Sequence, residues 1–173
     1  MVVQWVTVAA LALAATACDL RSRRVPNALT FGGAAIGVLI SALHAGPAGL
    51  AQSLLGWLVG VALFLPLFVA GGLGGGDVKL LAAFGACLGP WGALSAGLWA
   101  SLAGGVLALA VGVAHGYLSE ALRNLAAIVR VWSISNPSPI GGLTLDDARG
   151  PRIAYAVPIS IGALVALWLG QGG

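Results

Sequence analysis

The sequence predicts an all-α protein, a polytopic membrane bundle of about six transmembrane helices. Hydrophobic residues make up 60% of the 173 residues and charged residues only 8%, whereas soluble domains carry roughly 25% charged residues. Apolar runs of spanning length alternate with short charged or Gly/Pro-rich segments, and the basic residues fall on alternate connections. Because so few polar side chains cannot cover a water-facing surface, we expect residues 1–173 to form one integral membrane domain in contact with the lipid bilayer.

The first three predicted helices are apolar runs of spanning length. A helix needs about 20 residues to cross the hydrocarbon core of a bilayer. The first run ends where a charged segment begins at Asp19, the second at a turn-like Gly46–Gly49 segment, and the third at a glycine-rich segment. The runs are Val2–Cys18, Ala28–His44 and Leu50–Ala70.

The next apolar stretch, residues 78–114, is too long for one span. Its 37 residues would extend about 55 Å as a single helix, against a hydrocarbon core of roughly 30 Å. Proline interrupts helices, so we expect a break at Gly89-Pro90. This gives a short fourth helix, Val78–Leu88, and a fifth, Trp91–Ala114. The fourth is either recessed in the membrane or begins within the glycine-rich segment. Ile153–Leu169 is the predicted sixth helix.

Between the fifth and sixth helices, Ser119–Trp132 predicts an amphipathic helix. Its apolar residues recur at helical spacing and Ser119 is a suitable N-cap. Two roles fit equally well: a helix lying in the membrane interface, or a plug at the cytoplasmic mouth of the bundle.

The basic residues predict the orientation of the bundle. All eight follow the first, third or fifth helix, and the opposite connections carry none, so the positive-inside rule places both termini outside. Asp19 and Asp77 then share the cytoplasmic side. The scattered charges form no stripe or patch, which argues against nucleic acid binding. The basic residues are Arg21, Arg23, Arg24, Lys79, Arg123, Arg130, Arg149 and Arg152.

Asp19 and Asp77 are the candidate catalytic residues. Ionisable groups beside membrane helices are costly and are functional candidates. Two adjacent carboxyl groups share one proton, so one can activate water as a base and the other can donate as an acid. Gly74 and Gly76 lack side chains, which would let an extended substrate backbone approach. Lys79 either tunes the pair or meets lipid headgroups.

The histidines and cysteines indicate no metal site, and we expect no cofactor. His44 and His115 have no carboxylate-rich partner set, and Cys18 and Cys87 are expected to be free thiols. A simpler interpretation of Asp19 is a residue that ends a span and pairs with a nearby arginine.

Two segments carry family signatures. The first is Asp19-Leu-Arg-Ser-Arg-Arg-Val-Pro-Asn-Ala-Leu-Thr, an aspartate followed by basic residues and then Val-Pro-Asn. The second is Gly74-Gly-Gly-Asp77-Val-Lys-Leu-Leu, a Gly-x-Gly-Asp sequence followed by Val-Lys-Leu. Together they resemble the motifs of the prepilin peptidases, the type IV leader peptidases, which are GxGD-type intramembrane aspartyl proteases.

The resemblance implies that Asp19 and Asp77 are the catalytic pair of a six-helix leader peptidase. It further implies that Pro26, Asn27 and Lys79, together with Gly74 and Gly76, shape the site. The implied substrates are prepilin or pseudopilin precursors, cleaved after a basic leader at the cytoplasmic face of the bacterial inner membrane.

Two departures from the family pattern refine this expectation. The connection after the first helix is short and lacks Cys-x-x-Cys pairs, which resembles the peptidase-only form associated with tight-adherence (Flp-type) pili and argues against methyltransferase activity. Ala154-Tyr155 stands where a Pro-Tyr pair is often found, so neither Arg152 nor Tyr155 is assigned a catalytic role.

Two alternative functions remain open. A non-catalytic assembly subunit would keep both aspartates without using them. A small ion- or proton-coupled transporter would use Asp77 and Lys79 as membrane charges, although the third, fifth and sixth helices offer few polar residues for such a pathway.

Overall fold

The computed structural model describes residues 2–116, 119, 123, 126, 130 and 154–170, and this apolar chain is helical almost throughout them despite its many glycines. No strand occurs among these residues, which confirms the predicted all-α class. Three of the helices are long and apolar enough to cross a membrane, and the fourth is a shorter apolar helix. They are α1 (Val2–Ser22), α2 (Asn27–Val69), α3 (Gly75–Ala114) and α4 (Ala156–Leu169).

The helix α1 does not end at Asp19 as predicted but continues through it to Ser22. The Ser22 hydroxyl donates to the Cys18 carbonyl oxygen at 2.8 Å within this last turn. The helix ends where Arg23 adopts a left-handed conformation with φ 54° and where Pro26 disfavours helix at the residue before it. Asp19 therefore lies on a helix face that packs against the rest of the bundle.

Glycine followed by proline makes α2 fold back on itself. Gly46 has φ 58° and ψ −140°, a backbone conformation open to glycine. Pro47 then suits the first turn of the next segment, where a missing N–H costs little. The predicted Gly46–Gly49 turn is thus a break at one residue. The two arms of α2, before and after Gly46, both contact Ala86 of α3. A methyl group on Gly37 in the first arm would lie 3.0 Å from the Ala86 carbonyl carbon, and the Ser53 hydroxyl in the second arm donates to the Ala86 oxygen at 2.6 Å.

The predicted break at Gly89-Pro90 is confirmed in α3. Gly89 has φ 75° and ψ 179°. A methyl group on Gly85 would lie 3.1 Å from the Ala93 Cβ, whereas residues eight apart on a straight helix are about 12 Å apart. The helix begins at Gly75, three residues before the predicted start. Asp77 consequently lies inside its first turn.

The first arm of α3, the part before the break at Gly89, lies at the centre of the bundle. Residues 78–87 are buried except for Lys79, and Leu80, Leu81 and Phe84 are completely buried. The backbones of α2 and α3 are in close contact here. A methyl group on Gly56 would collide with the Gly85 carbonyl oxygen, and a methyl group on Gly85 would collide with the Gly56 carbonyl oxygen. The short predicted fourth helix is therefore a core element surrounded by the others.

The helix α4 packs against both α1 and α3. It begins at Ala156 rather than at the predicted Ile153, which lies outside the described residues, and has 14 residues. A methyl group on Gly162 would lie 2.6 Å from the Ala100 nitrogen of α3. The predicted amphipathic helix Ser119–Trp132 lies outside the described residues, apart from helical and exposed positions at Ser119, Arg123, Ala126 and Arg130.

Candidate active site

Asp19 is a buried carboxyl group in the last turn of α1, with 7% of its surface exposed. Its Oδ2 accepts a hydrogen bond from the Ala156 backbone N–H at 3.1 Å. Ala156 is the first residue of α4, so the carboxyl group lies at a helix N-terminus, where the unpaired N–H groups and the helix dipole favour negative charge. This contact joins residues 137 positions apart, and it makes α4 part of the surroundings of Asp19.

Asp77 is the third residue of α3 and is partly buried. Its backbone N–H donates to the Gly74 carbonyl oxygen at 3.0 Å, and the Gly74 N–H donates to its Oδ2 at 3.2 Å. The glycine-rich segment thus turns back onto the aspartate that follows it. This reciprocal pairing fixes the carboxyl group at the start of the helix.

The structure brings Asp19 and Asp77 to the same end of the bundle. The charge of Asp19 contributes at Asp77, but less than burial and the hydrogen bond from Gly74 do. The segments around them also touch, because a methyl group on Gly76 would lie 3.7 Å from the Val25 Cβ. The two motifs, separated by more than fifty residues, therefore form one surface.

Asn27 and Lys79 join the same two motifs at the surface. The Lys79 ammonium group donates to the Asn27 Oδ1 at 3.0 Å and lies 5.7 Å from the centre of the Phe31 ring. Pro26 precedes α2, and its carbonyl oxygen accepts the first backbone hydrogen bonds of that helix from Leu29 and Thr30. All of the residues expected to shape the site therefore lie in its neighbourhood.

The two glycines expected to admit substrate differ in their surroundings. A methyl group on Gly74 would lie 3.1 Å from the Asp77 Oδ2, so a side chain there would press on the candidate catalytic carboxyl group. At Gly76 the nearest atoms would be at 3.7–3.9 Å, an ordinary packing distance. The fold alone therefore does not require glycine at position 76.

Sequence reasoning noted Tyr155 but assigned it no catalytic role, and it did not predict the contact between the start of α4 and Asp19. Tyr155 lies directly before Ala156, the residue whose N–H group bonds to Asp19. A methyl group on Gly104 would lie 2.5 Å from the tyrosine hydroxyl. The available signal was a tyrosine at the start of the last apolar run, on the predicted side of both aspartates.

Other features lie away from this site or add nothing to it. A cavity of about 390 Å³ lies near both glycine breaks, between residues including Gln4, His44 and Gly89. Cys18 and Cys87 are free thiols, as predicted. Within the described part of the chain, no group of three or more His, Cys, Asp or Glu residues is placed to hold a metal ion.

The described architecture defines a class of protein: a bundle of apolar helices, three of them long enough to cross a membrane, with two acidic side chains at one end. A model of the type IV leader peptidase family matches residues 6–109, which is more than half of the chain and includes both aspartates. The chain therefore belongs to the type IV leader peptidase family, as the motifs indicated. Neither the curated proteins nor the solved structures compared with the chain gave a significant match.

Proposed function

We propose that the protein is an aspartyl endopeptidase that removes the basic leader peptide from type IV prepilin-like precursors. Membership of the leader peptidase family supports a protease of this general kind. The observation that carries the mechanism is the convergence of Asp19 and Asp77, each bonded to a backbone N–H group.

The proposed reaction uses one proton held between the two carboxyl groups. The ionised carboxylate takes a proton from a water molecule, whose oxygen then attacks the carbonyl carbon of the scissile peptide bond. The protonated carboxyl group donates its proton to the carbonyl oxygen and, after proton transfer within the site, the leaving nitrogen is protonated as the C–N bond breaks. The products are a free leader peptide and a mature amino terminus.

The surroundings of the pair suit an extended peptide. A methyl group at Gly76 would fit beside Val25 at an ordinary packing distance, so the fold does not account for glycine at this position, whereas close approach of a substrate backbone would. The hydrogen bond between Lys79 and Asn27 ties the two motifs together and would limit their separation. Arg21 and Arg24 are exposed and would repel a basic leader, so we interpret them as membrane-surface anchors.

We place the site at the cytoplasmic face of the bacterial inner membrane, in a bundle of about six spans. The fold-backs at Gly46 and Gly89 divide the three longest apolar helices into five segments, and α4 adds a sixth. The positive-inside distribution supports this orientation.

We further propose Flp-type precursors as the substrates and no methyltransferase activity. Only residues 23–26 connect α1 to α2, which leaves no room there for an additional cytoplasmic domain. This connection is shorter than the sequence suggested, because α1 extends past Asp19.

Co-expression with a Flp-type prepilin tests the proposal. Wild-type protein should shorten the precursor by the length of its leader on a gel, whereas Asp19→Asn and Asp77→Asn should each stop processing at unchanged protein level. Glu120→Gln, a carboxyl-to-amide change outside both motifs, is the matched control and should process normally. Processing by either aspartate variant would reject the paired-acid mechanism. Failure of the wild type with several prepilins would instead favour a non-catalytic assembly subunit.

A chelator test separates this mechanism from metal-dependent hydrolysis. We expect EDTA to leave processing unchanged, because both proton transfers use carboxyl groups. Inhibition by EDTA that is reversed by zinc would contradict the proposal and indicate a metalloprotease.

A further inference from the structure

We infer that the N-terminal end of α4 is a positioning element for Asp19 and that Tyr155 is the positioning residue that sets it in place. The inference rests on the proposed function, since it concerns the same site. The helix lies beyond residues 6–109, the segment matched by the family model. Three separate contacts carry the inference.

The first contact is between α4 and the carboxyl group itself. The Ala156 N–H donates to the Asp19 Oδ2 at 3.1 Å, with both groups buried. If this donor were lost, the buried carboxyl group would lack a hydrogen-bond partner, because water could not readily take the donor's place. Movement of the α4 N-terminus would therefore move or disturb Asp19.

The second contact fixes the register of α4 along α1. The Thr16 hydroxyl donates to the Ser160 Oγ at 3.2 Å, and the Ser160 hydroxyl donates to the Ala12 carbonyl oxygen at 3.3 Å. Ala12, Thr16 and Asp19 are spaced by four and three residues, so they share one face of α1. Ala156 and Ser160 are likewise four residues apart on α4. These bonds hold the two helices so that the Ala156 N–H is level with the Asp19 carboxyl group.

The third contact holds the end of α4 against α3. The Tyr155 ring occupies the space that a side chain at position 104 would fill, because a methyl group added there would lie 2.5 Å from the hydroxyl oxygen and 2.8 Å from the Cζ. Tyr155 is covalently joined to Ala156. A change in where this ring packs is therefore transmitted directly to the donor of the Asp19 hydrogen bond.

A pair of neighbouring glycines provides a matched test. Gly104→Ala would push the Tyr155 ring, whereas the methyl group of Gly105→Ala would lie more than 4 Å from the described residues beyond its own stretch of helix. With purified protein and a leader-bearing prepilin peptide, we expect Gly104→Ala to lower kcat about ten- to a hundredfold, the effect of a roughly 1 Å misplacement of a catalytic group. KM should change little, because the substrate surface is not altered. Gly105→Ala should match the wild type.

Substitutions of Tyr155 separate positioning from simple packing. Tyr155→Phe keeps the ring and should retain kcat near the wild-type value, whereas Tyr155→Ala should lose about as much as Gly104→Ala. Thermal unfolding of each variant identifies those that remain folded. A purely structural role would lower the melting temperature and leave kcat of the folded protein unchanged, which would overturn the inference.

A milder pair decides the outcome if those variants do not fold. Ser160→Ala removes the hydroxyl that links α4 to α1, and Ser101→Ala removes a hydroxyl that bonds within its own helix, to the Gly97 carbonyl oxygen. We expect a several-fold lower kcat for Ser160→Ala alone, and equal kcat for the two variants would reject the inference. If the two serine variants have equal kcat and Asp19→Asn is inactive, the inference fails and the proposed function stands. An active Asp19→Asn would reject the proposed function itself.

Discussion

The two aspartates are held in different ways, although each accepts one backbone hydrogen bond. Asp77 is bonded to its own glycine-rich segment, three residues away in sequence. Asp19 is bonded to α4, 137 residues away. The position of Asp77 is therefore set locally, whereas that of Asp19 depends on packing of the whole bundle. We expect substitutions in distant helices to affect activity mainly through Asp19.

A substitution at Gly76 tests whether glycine is required there for folding or for substrate binding. Gly76→Ala would place its methyl group in ordinary contact with Val25, so the thermal stability should be unchanged. If an extended substrate passes over this glycine, kcat/KM for leader cleavage should fall about tenfold or more, equivalent to roughly 1.4 kcal/mol.

Gly32→Ala is the control for this experiment, because a methyl group there meets no atom within 4 Å. It should keep wild-type kcat/KM. Full activity of Gly76→Ala would show that the substrate backbone does not approach at this position.

The candidate residues of the two motifs could be singled out from sequence, but their surroundings could be predicted only in part. Asp19 and Asp77 stand out because carboxyl groups beside apolar helices are rare and costly. The bond between Lys79 and Asn27 joins residues 52 positions apart and leaves no local pattern. Tyr155 was noted but given no catalytic role for the same reason, since its contact with Gly104 depends on how α3 and α4 pack.

Among the helices, the glycine-proline pairs are the features that sequence predicts best. Proline and glycine act through local backbone geometry, so the breaks at Gly46 and Gly89 could be expected from two residues each. Helix ends were predicted less well. The helix α1 continues beyond Asp19, and α3 begins before Asp77. An aspartate can lie inside a helix when its carboxyl group finds a backbone donor.

Contact between the first arm of α3 and α2 gives a prediction about stability. Gly56→Ala would drive a methyl group into the Gly85 carbonyl oxygen, which is backbone and cannot rotate away. We expect the free energy of unfolding to fall by about 1–3 kcal/mol or more, as for other overpacked sites. Thermal unfolding in lipid nanodiscs measures the change.

The control for helix contact is again Gly32→Ala, which adds a methyl group without a collision. This variant should be as stable as the wild type or slightly more stable, because alanine favours helix over glycine. Equal melting temperatures for Gly56→Ala and Gly32→Ala would contradict the close backbone contact.

Considered as a whole, the molecule has the two aspartates at one end and the helix breaks at Gly46 and Gly89 at the other. The end of α1 and the starts of α2, α3 and α4 meet around the aspartates. Near the breaks, the Gln4 side chain donates to the Cys87 carbonyl oxygen at 2.8 Å. The sequence predicted that the two aspartates share one side, because it assigns all eight basic residues to the same set of connections as Asp19 and Asp77.

Labelling of single cysteines tests the proposed orientation in the membrane. In a variant with Cys18 and Cys87 replaced by serine, we expect Ala48→Cys to react with a membrane-impermeant maleimide added outside intact cells. Arg21→Cys should react only after the membrane is permeabilised, since the positive-inside rule places it in the cytoplasm. Both positions are exposed. The reverse pattern would place the aspartates on the outer face.

The most direct test of the central claim is a double-substitution measurement of cleavage kinetics. Steady-state kcat/KM for a prepilin peptide is measured for Asp19→Asn, Asp77→Asn and the protein carrying both changes. Because the two carboxyl groups act as one unit, we predict that each single change lowers kcat/KM to the same floor as the double change. Independent, multiplying losses, or substantial activity in either single variant, would contradict a shared catalytic site.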